Sequence, residues 1–340
     1  MVTLPGAFAA RVISSPHCSH AGKPTSRQPT TTACPKSSVR IETGMRHLRI
    51  SAISYLNTAP LMWDFEHGEA GRSFDISYTL PSACARALQA GTADIGIIPA
   101  AAYAQIPGLQ VLPGVAIASR RAVRSILLVS KVPIEKIRTI ALDTSSMTSV
   151  ALTKILFEKW LGGGRTFSAM SPNLDEMLAT NDAGLLIGDP ALQVDRSRYL
   201  TLDLAEEWIR YTGKPFVFAF WAVRQQALQE AGLSGDSRPR QSAARNDTRV
   251  PAQDLPQIFQ DSRDHGLAPS SLSQIAHEWA ARLGLREDQV RRYLTESIHY
   301  ELDPGCIEGL QFFYRYAAEI GALPAAPELS FLSTANAVTV

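Results

Sequence analysis

The chain has 340 residues, of which 45% are hydrophobic and 19% are charged, and its formal net charge is +1. This length allows one large or two medium domains, and the composition is typical of a globular protein. A net charge so close to zero excludes the sequence-wide electrostatic field that attracts nucleic acid or a membrane surface, so local groups must hold any small anionic ligand.

The N-terminal stretch predicts a disordered tail, because residues 1–44 are rich in Ser, Thr, Pro and Ala and lack apolar periodicity. We expect Met45, directly before the first strand-like run, to be the true start, and a targeting extension is the alternative. No apolar run reaches the ~20 residues of a membrane span. Residues 4–13 are too short and too broken for the core of a secretion signal, so we expect a cytoplasmic protein.

Strands and helices alternate in the first ordered stretch. Its predicted strands, which are short and rich in apolar residues, are 48–53, 74–80 and 94–99. A turn over 55–60 leads into a helix from about Leu61. A second helix begins near Pro81 and runs to about Ala90, with Gly91 just past its end. This β-α-β-α-β order predicts parallel strands joined by crossover helices.

The same alternation continues in the second half of the chain. Its predicted strands are 125–130, 139–142, 184–187 and 216–223. A helix over 150–160 ends at three consecutive glycines, 162–164. Residues 235–254 are polar with little apolar content, and we interpret them as a mobile insertion. The helices predicted after this insertion are 255–265, 272–283, 287–298 and 304–319.

These elements predict an α/β fold with two lobes, each a mostly parallel sheet flanked by helices, and a ligand cleft between the lobes. Two segments of the chain cross from one lobe to the other. We assign residues 45–126 and 221–340 to the first lobe and residues 127–220 to the second. Ligands in such sheets bind beyond the carboxyl ends of the strands, so the cleft is the expected site.

Polar side chains follow the first strand directly, at the start of a helix. Ser54, Tyr55, Asn57 and Thr58 lie in this segment. Side chains of this kind, together with unpaired N–H groups of a helix N-terminus, suit an anion such as a carboxylate. Capping of the helix by Asn57 or Thr58 explains the same residues without a ligand.

A second cluster, residues 143–149, joins a buried strand to a helix. Its hydroxyl residues include Thr144, Ser145, Thr148 and Ser149. Hydroxyls and backbone donors at a helix start form a site for a second anionic group. The alternative is a hydroxyl-rich helix cap with spare residues that face solvent.

A third candidate is Asp189, in a turn at the end of another buried strand. Its carboxylate could orient a ligand hydroxyl, although an Asp before Pro is more often a turn residue. The histidines and cysteines form no motif for a metal, and no motif supports a nucleotide or a covalent nucleophile. We therefore expect no cofactor and no metal.

Several segments in register resemble the menaquinone biosynthesis chorismate dehydratase family of the futalosine pathway. The matching segments are 53–58, 91–99, 123–130, 142–150, 186–192 and 213–221, followed by Tyr300, Gly309, Leu310 and Phe312. The resemblance covers about 46–323, and it is specific because separate motifs match in the same order.

This resemblance implies a type 2 periplasmic-binding-protein-like fold and a lyase that removes water from chorismate to give 3-[(1-carboxyvinyl)oxy]benzoate. It implies that the partner is this small molecule and that Asn57 and Ser125 carry the chemistry. The implied substrate-binding residues are Ser54, Tyr55, Thr58, Thr144, Ser145, Thr148, Ser149 and Asp189. No oligomeric state is implied.

The sequence departs from the family pattern at two positions near these motifs. Ala100 stands where relatives often carry Ser, and Met147 stands where Arg is expected in many members. Three other classes share the fold: a solute-binding receptor without catalysis, the effector domain of a transcription regulator, and the sister enzyme that forms a dihydroxynaphthoate. A receptor needs a secretion signal and a regulator needs an upstream helix-turn-helix, and residues 1–44 predict neither.

Overall fold

A computed structural model describes residues 47–231 and 254–333, in which ten strands and twelve α-helices are found. The strands are β1 (Leu48–Ile53), β2 (Phe74–Thr79), β3 (Ile95–Pro99), β4 (Leu109–Ser119), β5 (Ile126–Ser130), β6 (Thr139–Asp143), β7 (Thr166–Met170), β8 (Ala183–Ile187), β9 (Leu200–Asp203) and β10 (Phe216–Arg224). The α-helices are α1 (Trp63–His67), α2 (Pro81–Gln89), α3 (Ala100–Tyr103), α4 (Thr148–Lys159), α5 (Leu174–Thr180), α6 (Gly188–Leu192), α7 (Leu204–Thr212), α8 (Gln225–Glu230), α9 (Leu255–Gly266), α10 (Pro269–Leu283), α11 (Glu287–Arg292) and α12 (Pro304–Glu319). The 3-10 helices are Leu56–Met62, Glu69–Ser73 and Ile134–Lys136, and Tyr293–Ser297 is a π-helix.

The strands form two five-stranded sheets, in the orders β2-β1-β3-β10-β4 and β7-β6-β8-β5-β9. In the first sheet β1 pairs in parallel with β2 and β3, whereas β10 is antiparallel to both of its neighbours. The second sheet repeats this arrangement, because β6 is parallel to β7 and β8 and β5 is antiparallel to its neighbours. The two-lobed α/β fold is confirmed, but the sheets are mixed rather than mostly parallel.

Two chain crossings join the sheets, between β4 and β5 and between β9 and β10. The predicted boundary at residue 220 is wrong, because β10 pairs with β4 from Phe216 onwards and with β3 from Ala219 onwards. Residues 216–220 therefore belong to the first lobe. Ile126, assigned to the first lobe, is the first residue of β5 and pairs with Ile187 in the second sheet. The predicted tail 1–44 lies outside the described residues, as does the predicted insertion apart from Asp254.

Alternating side chains on β5 reach two apolar cores on opposite faces of the second sheet. Leu128 belongs to the larger core, which extends through the first lobe, while Leu127 and Val129 belong to a smaller core with Met177 of α5. This alternation is the period of two that a strand imposes on its side chains. Each face of the second sheet therefore contributes to a different core.

The two described cysteines, Cys84 and Cys306, are free and buried. Within residues 47–231 and 254–333, no helix is both long enough and apolar enough to cross a membrane. Burial raises the pKa of the Cys84 thiol to about 12, which is the expected behaviour of a packed thiol in apolar surroundings.

Candidate functional site

A small cavity of about 40 Å³ lies between the two lobes, at the carboxyl ends of β1, β3 and β8. Its polar lining residues are Tyr55, Asn57, Ser146, Thr148 and Ser149. Its remaining lining residues are Ile53, Pro81, Pro99, Ile117, Phe218 and Ala219 from the first lobe and Ile126, Ile187 and Gly188 from the second. Among these described residues none carries a charge, so a ligand here meets neutral donors and apolar walls.

Asn57 faces this cavity from the 3-10 helix Leu56–Met62, and its exposed fraction is only 9%. The residue that precedes this helix is Tyr55, and no side chain caps the helix. The capping alternative is therefore wrong for both Asn57 and Thr58. The Thr58 hydroxyl donates to Asn57 Oδ1 over 3.4 Å, which is a long hydrogen bond. The Asn57 amide group also contacts the Tyr293 hydroxyl.

The start of α4 forms the opposite wall. Ser149 N–H donates to Ser146 Oγ at 3.2 Å, so Ser146 serves as the cap and Met147 makes no side-chain cap bond. Thr148 Oγ accepts from Ala101 N–H at 3.1 Å and donates to the Phe218 carbonyl at 3.0 Å. The hydroxyl of Thr148 thus ties the second lobe to the first. The helix N-terminus itself carries partial positive charge toward the cavity.

Five of the predicted binding residues do not line the cavity, namely Ser54, Thr58, Thr144, Ser145 and Asp189. Ser54 and Thr144 are exposed on the surface. Ser145 is buried, and its N–H and hydroxyl donate to Asp143 Oδ1 at 2.8 and 2.6 Å. Burial raises the pKa of the Asp143 carboxyl above its ordinary value, although these two hydrogen bonds oppose the rise.

Ser125 lies next to the site, fully buried, and Tyr293 is its partner. The Tyr293 hydroxyl donates to Ser125 Oγ at 2.8 Å. Burial raises the pKa of the Tyr293 hydroxyl, and hydrogen bonds to Ser125 and Asn57 partly oppose that rise. No local pattern marks Tyr293 as a site residue, because it lies in a predicted helix and is 168 residues from Ser125 in the chain.

Contacts between the lobes surround the cavity. Leu56 N–H donates to Asp189 Oδ1 at 3.0 Å, and Ser82 N–H donates to the Ser145 carbonyl at 3.0 Å. Asp189 therefore bridges the lobes instead of facing the cavity. Since about 40 Å³ is far below the ~300 Å³ of small ligand sites, this is a closed arrangement, and a ligand needs the lobes to separate.

The variant Asp189→Asn is expected to melt at a higher temperature than the wild type, and this difference is expected to increase as pH rises. Burial raises the pKa of the Asp189 carboxyl to about 6, while the Leu56 N–H opposes this rise. Between about pH 4 and pH 6 the folded protein therefore binds more protons than the unfolded chain. The free energy of unfolding of the wild type falls as pH rises through this interval. Asn does not titrate, and thermal melts across the interval measure the difference.

Asp182→Asn is the control, because its effect on the melting temperature is expected to be opposite in direction. Backbone N–H groups of Arg138 and Thr139 donate to Asp182 and lower its pKa, so this carboxylate stabilises the fold more as pH rises. The melting temperature of Asp182→Asn should therefore fall below that of wild type at neutral pH. A pH-independent difference for Asp189→Asn would contradict the assignment of Asp189 as a half-buried carboxyl that titrates and bridges the lobes.

One group of metal-ligating side chains occurs elsewhere in the described residues, formed by His299, Asp303 and Cys306. Asp303 Oδ1 accepts from Cys306 N–H at 2.9 Å and thereby caps α12. Its other oxygen pairs with Arg120 and with His299 Nε2. These contacts occupy the carboxylate and lower its pKa to about 2, so helix capping and ion pairing account for the cluster.

The chain matches a known family over most of its length. The menaquinone biosynthesis family matches residues 48–319 of the chain. The chorismate dehydratase of Thermus thermophilus is 28% identical over 301 residues, which are 83% of this chain and 98% of that relative. The matched region contains every cavity-lining residue from Ile53 to Ala219, and it also contains Tyr293.

Solved structures support the fold. A protein from Archaeoglobus fulgidus aligns with a TM-score of 0.59 at 16% identity, covering 82% of this chain and 98% of that one. The periplasmic aliphatic sulphonate binding protein of Escherichia coli aligns with a TM-score of 0.54 at 16% identity, covering 84% and 95%. The predicted periplasmic-binding-protein-like architecture is therefore confirmed.

Proposed function

The chain belongs to the menaquinone biosynthesis family, and we propose that it is a chorismate dehydratase. The observation that carries this proposal is the match to the Thermus thermophilus chorismate dehydratase along 98% of that relative. In this proposal the enzyme is a cytoplasmic hydro-lyase of the futalosine pathway. It converts chorismate to 3-[(1-carboxyvinyl)oxy]benzoate and water.

The reaction removes the ring hydroxyl and the proton of the neighbouring ring carbon. The electron pair of that C–H bond forms the third ring double bond as the C–O bond breaks, so the ring becomes aromatic. This gain supplies a large driving force. We propose that the enolpyruvyl carboxylate of the substrate accepts the proton and passes it to the departing hydroxide, which leaves as water. The protein then has to supply orientation, desolvation and fixed dipoles.

The cavity offers groups suited to these tasks. Asn57 lines it with a buried amide, which we propose hydrogen-bonds the reacting carboxylate or the leaving hydroxyl. The N-terminus of α4, with Ser146 and Ser149 at the cavity wall, is proposed to hold a substrate carboxylate. Tyr293 contacts both Ser125 and Asn57. Closure of the lobes is proposed to exclude water from the reacting atoms.

Incubation of the purified protein with chorismate tests the proposal, with no metal or cofactor added. We expect chorismate to disappear and the substituted benzoate to accumulate in equal amount, as measured by chromatography with mass detection. Protein denatured before the incubation is the control. Chorismate that persists with folded protein would contradict the proposal.

The same experiment separates the alternative functions. Tight binding of chorismate without turnover would favour a solute-binding role, as the fold of the sulphonate binding protein suggests. The absence of both chorismate binding and chorismate turnover would favour the sister enzyme, whose substrate is a futalosine-derived intermediate. Equilibrium binding of chorismate is therefore measured beside turnover.

A further inference from the structure

A second and larger cavity, of about 490 Å³, opens beside the inner one. Arg124 lines it from the chain crossing between β4 and β5, and Arg196 lines it from the second lobe. The first lobe contributes Gln289, Arg292 and Tyr293. We call this cavity the arginine groove. Its volume lies in the range of about 300–1,000 Å³ that is usual for small-molecule sites, whereas the inner cavity is much smaller.

The arginine groove carries an excess of positive charge. Three guanidinium groups line it, and one lining residue, Asp195, carries a carboxylate. The Arg292 guanidinium also pairs with Asp288 at 2.8 Å, and Asp288 in turn pairs with Arg286. Asp195 accepts from the Ser197 N–H and hydroxyl at 3.0 and 2.6 Å. Arg196 donates to the Arg124 carbonyl at 2.9 Å, which uses one of its five N–H groups and positions the rest. Guanidinium forks match the geometry of carboxylates.

The backbone of Arg124 is strained, and contacts with neighbouring residues enforce its conformation. Its φ of 66° is the only positive value at a non-glycine residue in the described parts of the chain. The buried Asp203 carboxylate accepts from Arg124 N–H at 2.7 Å and from Val123 N–H at 3.2 Å. Such a conformation costs free energy and persists where neighbouring contacts enforce it, often at functional positions. Here it places Arg124 at the groove and Ser125 in the interior.

Tyr293 separates the arginine groove from the inner cavity. It lines the groove, and its hydroxyl reaches Ser125 and Asn57, the latter a lining residue of the inner cavity. The charged and the neutral sites are therefore adjacent, with one side chain between them. No residue that lines the neutral cavity carries a full positive charge, whereas three arginines line the adjacent groove.

We propose that the arginine groove is a docking site for carboxylates, on the path by which the substrate reaches the inner cavity. This inference rests on the proposed function, because chorismate carries two carboxylates. Fixed positive charge at a cleft raises the local concentration of an anionic substrate and its rate of association. Its contribution therefore appears in kcat/KM and weakens as salt increases.

The double variant Arg196→Gln/Arg292→Gln tests the groove. At low ionic strength we expect kcat/KM for chorismate to fall about tenfold, kcat to change little, and the salt dependence of kcat/KM to flatten. Arg210→Gln/Arg315→Gln, two arginines on α7 and α12 that do not line the groove, is the charge-matched control and should behave as wild type. A groove variant with wild-type kcat/KM and salt dependence would overturn the proposal.

Arg124 provides an independent test. Arg124→Gly removes the guanidinium while glycine readily adopts the positive φ, so folding should be preserved. We expect a several-fold loss of kcat/KM with Arg124→Gly and a smaller loss with Arg124→Lys. Equal kinetics of wild type and both variants would count against the groove.

Binding of isophthalate, a stable aromatic dicarboxylate, separates failure of the docking site from failure of the proposed function. Calorimetry on the full chain should show weaker binding by the Arg196→Gln/Arg292→Gln variant than by wild type, even if wild type does not dehydrate chorismate. Equal binding by the two proteins would overturn the docking site. Absent turnover with reduced isophthalate binding would contradict the proposed function and leave the groove supported.

Discussion

Replacement of Asn57 by Ala is expected to lower kcat for chorismate dehydration by about 10²–10³-fold, the usual cost of removing one preorganised donor from an active site. Asn57 is the buried amide of the neutral cavity, and it caps no helix. Its loss removes a dipole that we propose acts on the reacting groups. Steady-state kinetics measure the effect, with KM changing less than kcat.

The fold should survive this change, because Asn57 makes one long side-chain bond with Thr58 and one contact with Tyr293. Loss of such bonds costs about 1 kcal/mol, which a thermal melt detects as a small shift. Asn173→Ala is the matched control, since Asn173 caps α5 on the surface and its loss costs similar stability. Near-normal kcat for Asn57→Ala would remove Asn57 from the chemistry.

Replacement of Gly188 by Ala is expected to lower kcat/KM by about 10²-fold or more, because a displacement of about 1 Å in a reacting site has this effect. A Cβ on Gly188 would lie 2.5 Å from Cδ2 of the Tyr55 ring. Tyr55 belongs to the first lobe and Gly188 to the second, so the collision holds the lobes apart. Each sheet is otherwise untouched.

Gly213→Ala is the control that separates lobe closure from backbone strain. Gly213 has a φ of 66°, close to the 62° of Gly188, and nothing lies within 4 Å of its added Cβ. Both variants therefore lose similar stability from the left-handed conformation, about 1–2 kcal/mol. Only Gly188→Ala should lose activity, and small-angle scattering should show a larger radius of gyration. Equal kinetics of the two variants would contradict closure at Gly188.

Local pattern was sufficient for most strands and for the longer helices. Strand β1 and helix α12 have the predicted bounds, because apolar alternation and a helix-start proline are short-range signals. Strand β4 was not predicted. It contains Pro113 and Gly114, which are typical of a turn, and pairing with β10 through two register shifts holds this segment extended.

The candidate site could also be predicted only in part from the sequence. Its position at strand ends and the presence of residues from 54–60 and 143–149 in its lining could be predicted from the sequence, since both segments join a strand to a helix. Which hydroxyls line the cavity did not follow. Ser146 and Ser149 face it while Thr144 faces solvent, because the turn geometry between β6 and α4 sets those directions.

The sequence by itself determined the α/β class, the alternation of elements and the family, since each depends on short-range periodicity or on motifs in chain order. Only the tertiary structure decided that 216–220 pair within the first sheet, that Tyr293 contacts Ser125, and that three arginines share one groove. The physical reason is that periodicity specifies which face of an element is buried but not its partner. Partners separated by more than a hundred residues are selected by packing of the whole chain.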